Sequence, residues 1–225
     1  MSLRHKFRDA VHWHVNLPML HLLVRPDGHM RRITVADMLL PVGLVNQEWI
    51  CYCVGVGEDI RFENYLTNKL GAKVWAFDPT PRAIKFMEAT PHNLHFIPKG
   101  LWKEDATLRF YAPHNPKWVS HSITEKSDFG HFDAPCVSMA SAMKSLGHDR
   151  VDLLKMNIEG AEHEVLEAML AARIFPRVII VAWEGNDALL KAHRWTRRLR
   201  RDGYDFVGRV AWFFTYVRGA KWITS

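Results

Sequence analysis

Short apolar runs alternate with helical segments along most of this chain, and that alternation constrains the fold more than any other feature. Residues 49–54 (WICYCV) read as a buried strand, followed by a helix over about 58–70. A second strand at 73–77 (KVWAF) leads into a helix over about 81–89, and 94–97 form a third strand. Residues 152–158 (DLLKMNI) are another strand, running straight into a helix over 160–173. Its Ala161, Val165, Leu166, Met169 and Leu170 recur at helical spacing. The run 178–183 (VIIVAW) is almost wholly apolar, as a parallel strand covered on both faces should be. Asn186 and Asp187 can start the next helix, whose Ala188, Ala192, Trp195 and Leu199 make one apolar stripe. Two strands, 204–210 and 211–217, close the chain.

Strands separated by helices imply βαβ units, because parallel strands need long crossovers. The last two strands have no room for a helix between them and must be antiparallel. The expected fold is α/β: a doubly wound, mostly parallel sheet with an antiparallel C-terminal edge. Residues 46–225 read as a single domain, preceded by an extended or helical extension at 1–45. Within that extension, Thr34 followed by Asp37, with Pro41 and Gly43 as stop signals, suggests a short helix over 33–40. Residues 107–111 alternate as a strand would. The segment 112–135, with its three prolines, reads as a long irregular insertion, either a functional loop or a disordered one.

Composition narrows the setting. Three Cys in 225 residues are too few for a disulfide framework, which points to reduced thiols and a cytoplasmic location. No run approaches the roughly 18 uninterrupted apolar residues that a spanning helix needs. His12, His14, Asn16 and His21 interrupt the apolar stretch near the start, which argues against a signal peptide. The net charge of +6 favours an anionic partner only mildly.

Gly55 and Gly57 follow the first strand directly. Glycines there let a ligand approach the backbone, and the next helix presents free N–H donors. A tight turn is the plainer explanation of the pair. Asp78 strengthens the ligand reading: it lies at the end of the second strand, where a carboxylate can accept the hydroxyls of a ribose. Its plainer role is a helix cap. A dinucleotide site would want a third glycine near position 60, where Asp59 and Ile60 stand. Glu58 and Asp59 would repel a pyrophosphate but tolerate a cofactor carrying an ammonium and a sulfonium. That favours S-adenosylmethionine over a nicotinamide, and disfavours an oxidoreductase.

The stretch 151–162 (VDLLKMNIEGAE), continuing to Val165 and Leu166, resembles the signature "DLLKIDVEGAE…VL" of FkbM-type methyltransferases. The stretch 74–81 (VWAFDPTP) is similar to that family's "V.AFEP.P" motif. The resemblance runs from about 49 to 217. It implies a class I methyltransferase (Rossmann-like) fold that uses S-adenosylmethionine, most often to methylate an oxygen of a sugar or secondary metabolite. By matching positions it implies that Gly55 and Gly57 approach the cofactor, that Asp78 binds its ribose and that Asn157 lies near its methionyl part. Leu101 and Trp102 follow the third strand, where such folds build the adenine pocket; Trp102 can equally pack in the core. Cys53 and Asn157 stand where the family usually carries acids, and Glu58, Asp59 or Glu63 are the available replacements.

A hydroxyl acceptor must also lose a proton. Glu159 and His163, after the 152–158 strand, and His121, in the irregular loop, are the candidate bases, with Glu184 at the same sheet edge. Glu159 and Glu162 have a plainer role in offsetting the helix dipole. Thirteen His invite a metal reading, but none is spaced as a ligand set, and Cys51 and Cys53 point into a core. Arg194, Arg197, Arg198 and Arg201 share a helix face, by default a solvated one. Its functional alternatives are a phosphorylated acceptor, an anionic membrane surface or nucleic acid, though no nucleic-acid signature accompanies it. The expected partner is a small-molecule or saccharide acceptor. The competing reading is a non-catalytic binding module that uses this arginine face.

Overall fold

The computed structural model describes residues 25–28, 30–111, 130–158, 160–183 and 187–220. In chain order, the described elements begin with β1 (Arg32–Val35), β2 (Met38–Pro41) and β3 (Ile50–Val54). There follow α1 (Arg61–Leu70), β4 (Lys73–Phe77), α2 (Pro81–Ala89) and β5 (His95–Ile97). Then come β6 (Gly100–Trp102), β7 (Ala106–Tyr111), β8 (His131–Ser138), α3 (Met139–Leu146) and β9 (Leu153–Met156). The chain continues through α4 (Glu162–Ala171), β10 (Val178–Ala182), α5 (Ala188–Arg201), β11 (Tyr204–Val210) and β12 (Phe213–Arg218).

Seven strands form the main sheet in the order β11-β12-β10-β9-β3-β4-β5. Pairs β3·β4, β3·β9, β4·β5 and β9·β10 are parallel. From β3 the chain moves outward to β4 and β5, then returns to β9 on the opposite flank of β3. The loops after β3 and β9 therefore diverge, opening a crevice at the ends of those strands.

The sheet separates two apolar cores. Tyr52 and Val54 join Leu154, Trp183 and Trp195 in one, whereas Cys51 and Cys53 join Phe62, Val74 and Val207 in the other. This is the two-residue alternation of β3 read directly in space. The β10 run is buried along its whole length, as its composition requires. No helix among the described residues is long and apolar enough to cross a membrane.

Four features depart from the sequence expectations. Residues 33–40 are not a helix. They form the β1–β2 hairpin, with Val35 opposite Met38 and with Ala36 and Asp37 both at positive φ (45° and 65°), the backbone of a two-residue hairpin turn. All four residues of β2 are buried, and Thr215 donates its hydroxyl to the Leu39 carbonyl at 2.9 Å. Packing onto β11 and β12 thus outweighs the apparent capping pair.

The C-terminal pair β11–β12 does form an antiparallel edge of the sheet, but its reversed strand is the inner one. β12 lies between β10 and β11, antiparallel to both, so the outermost strand β11 runs with the parallel set. The crossover through α5 is long enough to carry the chain past β10 and leave a gap that the β11–β12 hairpin fills.

The irregular segment ends sooner than expected. Residues His131–Ser138 are a strand, paired with β7 from His131 to Cys136 and with β6 from Cys136 onward. Pro135 disguised it, yet it precedes the first β8 residue that has a partner on β6, so no ladder bond is lost on that side.

Helix α3 escaped the periodicity reading although its ends are well marked. Ser138 caps it by accepting from the Ser141 N–H at 3.1 Å, and Gly147 closes it in the left-handed conformation.

Cys51 and Cys53 have no exposed surface and Cys136 has almost none. Burial pushes all three thiols up, Cys136 to about 11. At about pH 8, near the ordinary thiol value, the folded chain should leave a chromogenic disulfide reagent unreacted, with all three thiols reacting on denaturation. One thiol reacting natively at the rate of free cysteine would contradict this packing.

Candidate active site

The crevice is built from the β3–α1 and β9–α4 loops, and the two glycines have different tasks in it. Gly55 has φ +73° and donates its N–H to Phe77 O at 2.9 Å. A Cβ placed on it would lie 1.8 Å from the Asn157 carbonyl oxygen. It is therefore a packing glycine, where two backbones touch. Gly57 has φ +55°, and nothing lies within 4 Å of a Cβ built there. Its backbone faces open space that a ligand can enter.

Asp78, at the end of β4, clamps that turn. Its Oδ2 accepts the Gly57 N–H at 2.9 Å, and its Oδ1 accepts both the Thr80 N–H (2.9 Å) and the Thr80 hydroxyl (2.6 Å). Thr80, rather than Asp78, caps α2, accepting from the Ala83 N–H at 3.3 Å. Three of about four acceptor positions on the buried carboxylate are thus filled. One position on Oδ2 is left for a ligand hydroxyl, not the two expected of a ribose pair.

Glu58 and Asp59 are both neutralised within the protein. Glu58 meets Arg82 at 2.6 Å, and Asp59 takes Arg61 in a bidentate pair that holds its carboxyl below the usual range. Neither carboxylate has to face a cationic cofactor to be satisfied.

Beneath the turn lies an ion pair between Lys155 and Glu63, of which sequence reading had singled out only Glu63. Lys155 sits on β9 directly beside Cys53 of β3, with its side chain 5% exposed. Its Nζ donates to the Gly55 carbonyl at 2.9 Å and lies 3.5 Å from Oε1 of Glu63, itself 1% exposed. The Glu63 charge also adds to the burial that raises the Cys53 thiol. The acid missing at position 53 is thus matched by one brought in from α1. The available signal was the lone lysine in an otherwise apolar LLKM strand.

On the other wall, Asn157 donates its N–H to Val54 O at 3.0 Å, while its buried Oδ1 has no hydrogen-bond partner among the described residues. A buried amide oxygen without a donor is costly, and it would be satisfied by a ligand ammonium. Glu162 does more than offset a dipole. Its two oxygens accept the N–H groups of Ile158 and Gly160, each at 2.9 Å, and so hold the shape of the loop that carries Asn157.

Leu101 is buried in the core alongside Tyr52 and Phe77. Trp102 is half-buried, with the Lys103 ammonium 5.6 Å from its ring centroid. The start of β6 abuts the turn after Asp78, since a Cβ on Gly100 would lie 3.6 Å from Pro79. His163 packs edge-on against Trp195 of α5, ring centroids 5.4 Å apart, which directs it toward the helix layer. Glu159, His121 and Glu184 lie outside the described residues. Among the described residues, no three His, Cys, Asp or Glu side chains gather as a metal site would need.

A mostly parallel sheet whose strand order reverses beside a glycine turn defines an α/β protein with a crevice at the carboxyl ends of β3 and β9. The model of the methyltransferase FkbM domain matches residues 44–206, and the chain belongs to that family. The human protein described as "Probable methyltransferase-like protein 24" is 25% identical over 136 residues. That match covers 59% of this chain and 31% of the human protein, so the chain spans about a third of its relative. Among solved structures, the Methanococcus jannaschii fibrillarin pre-rRNA processing protein aligns with a TM-score of 0.45 and 11% identity, over 85% of this chain and 84% of that one.

Proposed function

We propose that this chain is an S-adenosylmethionine-dependent methyltransferase of the class I, doubly wound type, transferring methyl to a hydroxyl of a saccharide or small metabolite. The observation that carries the cofactor assignment is the pairing across one crevice of the open Gly57 turn, clamped by Asp78, with the unpartnered amide oxygen of Asn157. Family membership supports the reaction class.

The residues fit the cofactor's chemistry. Asn157 Oδ1 accepts from its ammonium, the free position on Asp78 Oδ2 accepts from one ribose hydroxyl, and Gly57 leaves room for close backbone approach. Trp102, beyond β5, is the proposed partner of the adenine. When bound, S-adenosylmethionine supplies a methyl group activated by a positive sulfur. The protein's part is to align the acceptor and remove its proton. Asp78 and Lys155 act earlier, by keeping the turn in its receptive shape. Glu159, three positions beyond the last residue of β9 in the sequence, is the proposed base; full turnover in Glu159→Gln would remove it from that role.

Calorimetric titration with S-adenosylhomocysteine tests the cofactor class. Binding at one site with roughly micromolar affinity is expected. Asp78→Ala should weaken it at least tenfold, since a hydrogen bond to a charged group contributes about 1.5–3 kcal/mol. Unchanged affinity in a folded Asp78→Ala chain would refute the ribose role, and no binding by the folded parent would refute the cofactor.

A further inference from the structure

Helix α5 presents two opposite faces. Ala188, Ala192, Trp195, Thr196 and Leu199 are buried against the sheet. The opposite face carries Leu190, Arg194, Arg197 and Arg201, spaced by four, three and four residues and therefore on one line along the helix. Leu190 is 74% exposed, far more than any other exposed large apolar side chain among the described residues. The three arginines are exposed and have no carboxylate partner among the described residues, whereas Lys191, Arg198 and Arg200 are paired with Asp187, Asp202 and Asp27. Beside the stripe, α4 and α5 enclose an open cleft of about 380 Å³ lined by four arginines, His193 and a single carboxylate, Glu167.

We infer that this face docks the protein peripherally on an anionic phospholipid bilayer. Guanidinium groups suit phosphate geometry, and their apolar stems can lie along a surface while the heads reach phosphates. The cleft is large enough to receive a headgroup and carries net positive charge to hold one. Leu190 decides between polyanions. A nucleic-acid backbone or a soluble phosphate gains nothing from a leucine at the crest of an arginine stripe, whereas the acyl boundary of a bilayer does. Leu190 lies in the first turn of α5, close after β10, so contact there would hold the crevice edge of the sheet near the headgroup layer.

The test is flotation of the full chain with phosphatidylcholine–phosphatidylglycerol vesicles, against vesicles of phosphatidylcholine alone. The parent should float with the anionic vesicles, only weakly with the neutral ones, and less as salt is raised. Joint substitution R194Q, R197Q and R201Q should lower the partition coefficient about a hundredfold, each basic residue near an anionic surface contributing a factor of about five. Leu190→Gln alone should lower it about tenfold. These residues are exposed, so both variants should keep the parent's melting temperature, which is checked in parallel. Failure of the parent to float, or flotation indifferent to both variants, would overturn the proposal. So would tight binding of a single-stranded oligonucleotide that depends on the arginines but not on Leu190, with vesicles ignored; that result would assign the face to nucleic acid.

Discussion

Lys155→Met should destabilise the folded chain by about 3–5 kcal/mol, the usual effect of stranding one member of a buried ion pair. The reason lies in what remains. Glu63 is 1% exposed, and the Lys155 ammonium 3.5 Å away is the cation paired with it, the neighbouring Cys53 thiol being neutral. The same ammonium donates to the Gly55 carbonyl, so its loss also unties the glycine turn. Urea denaturation of the single variant and of Lys155→Met with Glu63→Gln separates the two contributions. The double variant should recover part of the loss, because a neutral amide tolerates burial better than an unpaired carboxylate. A single variant as stable as the parent would show that the pair holds nothing together.

Gly55→Ala and Gly57→Ala should behave oppositely, although the residues are two apart and both at positive φ. At Gly55 the added methyl would overlap the Asn157 carbonyl, a backbone atom that can move only if β3 and β9 part. A loss of about 4 kcal/mol or more is expected, a large fraction of what a domain of this kind has. At Gly57 the methyl meets nothing, and the left-handed backbone costs about 1 kcal/mol. That variant should fold, yet bind S-adenosylhomocysteine at least tenfold more weakly because the methyl occupies the cofactor's approach. Thermal melting and calorimetry together read both effects. A Gly55→Ala chain with the parent's melting temperature would refute the loop contact, and full affinity in Gly57→Ala would move the cofactor off this turn.

Much of the sheet was legible because its signals are local. The apolar runs of β3, β4, β9 and β10 and the 3.6-residue stripes of α4 and α5 reflect periods that a chain carries whatever surrounds it. The same holds for the glycine turn and for Asp78 at the end of β4. The β1–β2 hairpin was misread because MLLP is buried by β11 and β12, about 170 residues further along the chain; nothing nearby announces that cover. β8 was hidden by Pro135, whose missing donor matters only relative to where β6 begins.

In the candidate site the division is sharper. Residue types and spacing marked Gly55, Gly57 and Asp78, since chemistry selects glycines and a carboxylate at strand ends, and the family resemblance added Asn157. Their division of labour came from the tertiary structure. Only the approach of two backbones makes Gly55 a packing residue and leaves Gly57 open, and only the fold of the turn fills three acceptor positions of Asp78. Lys155 and Glu63 are 92 positions apart in the chain, so no local pattern can reveal that they share a charge. The order of elements is thus a property of the sequence, because periodicity and chain connectivity act locally. Which polar groups are left without partners is decided by the packed structure, because desolvation depends on every surface that closes over them.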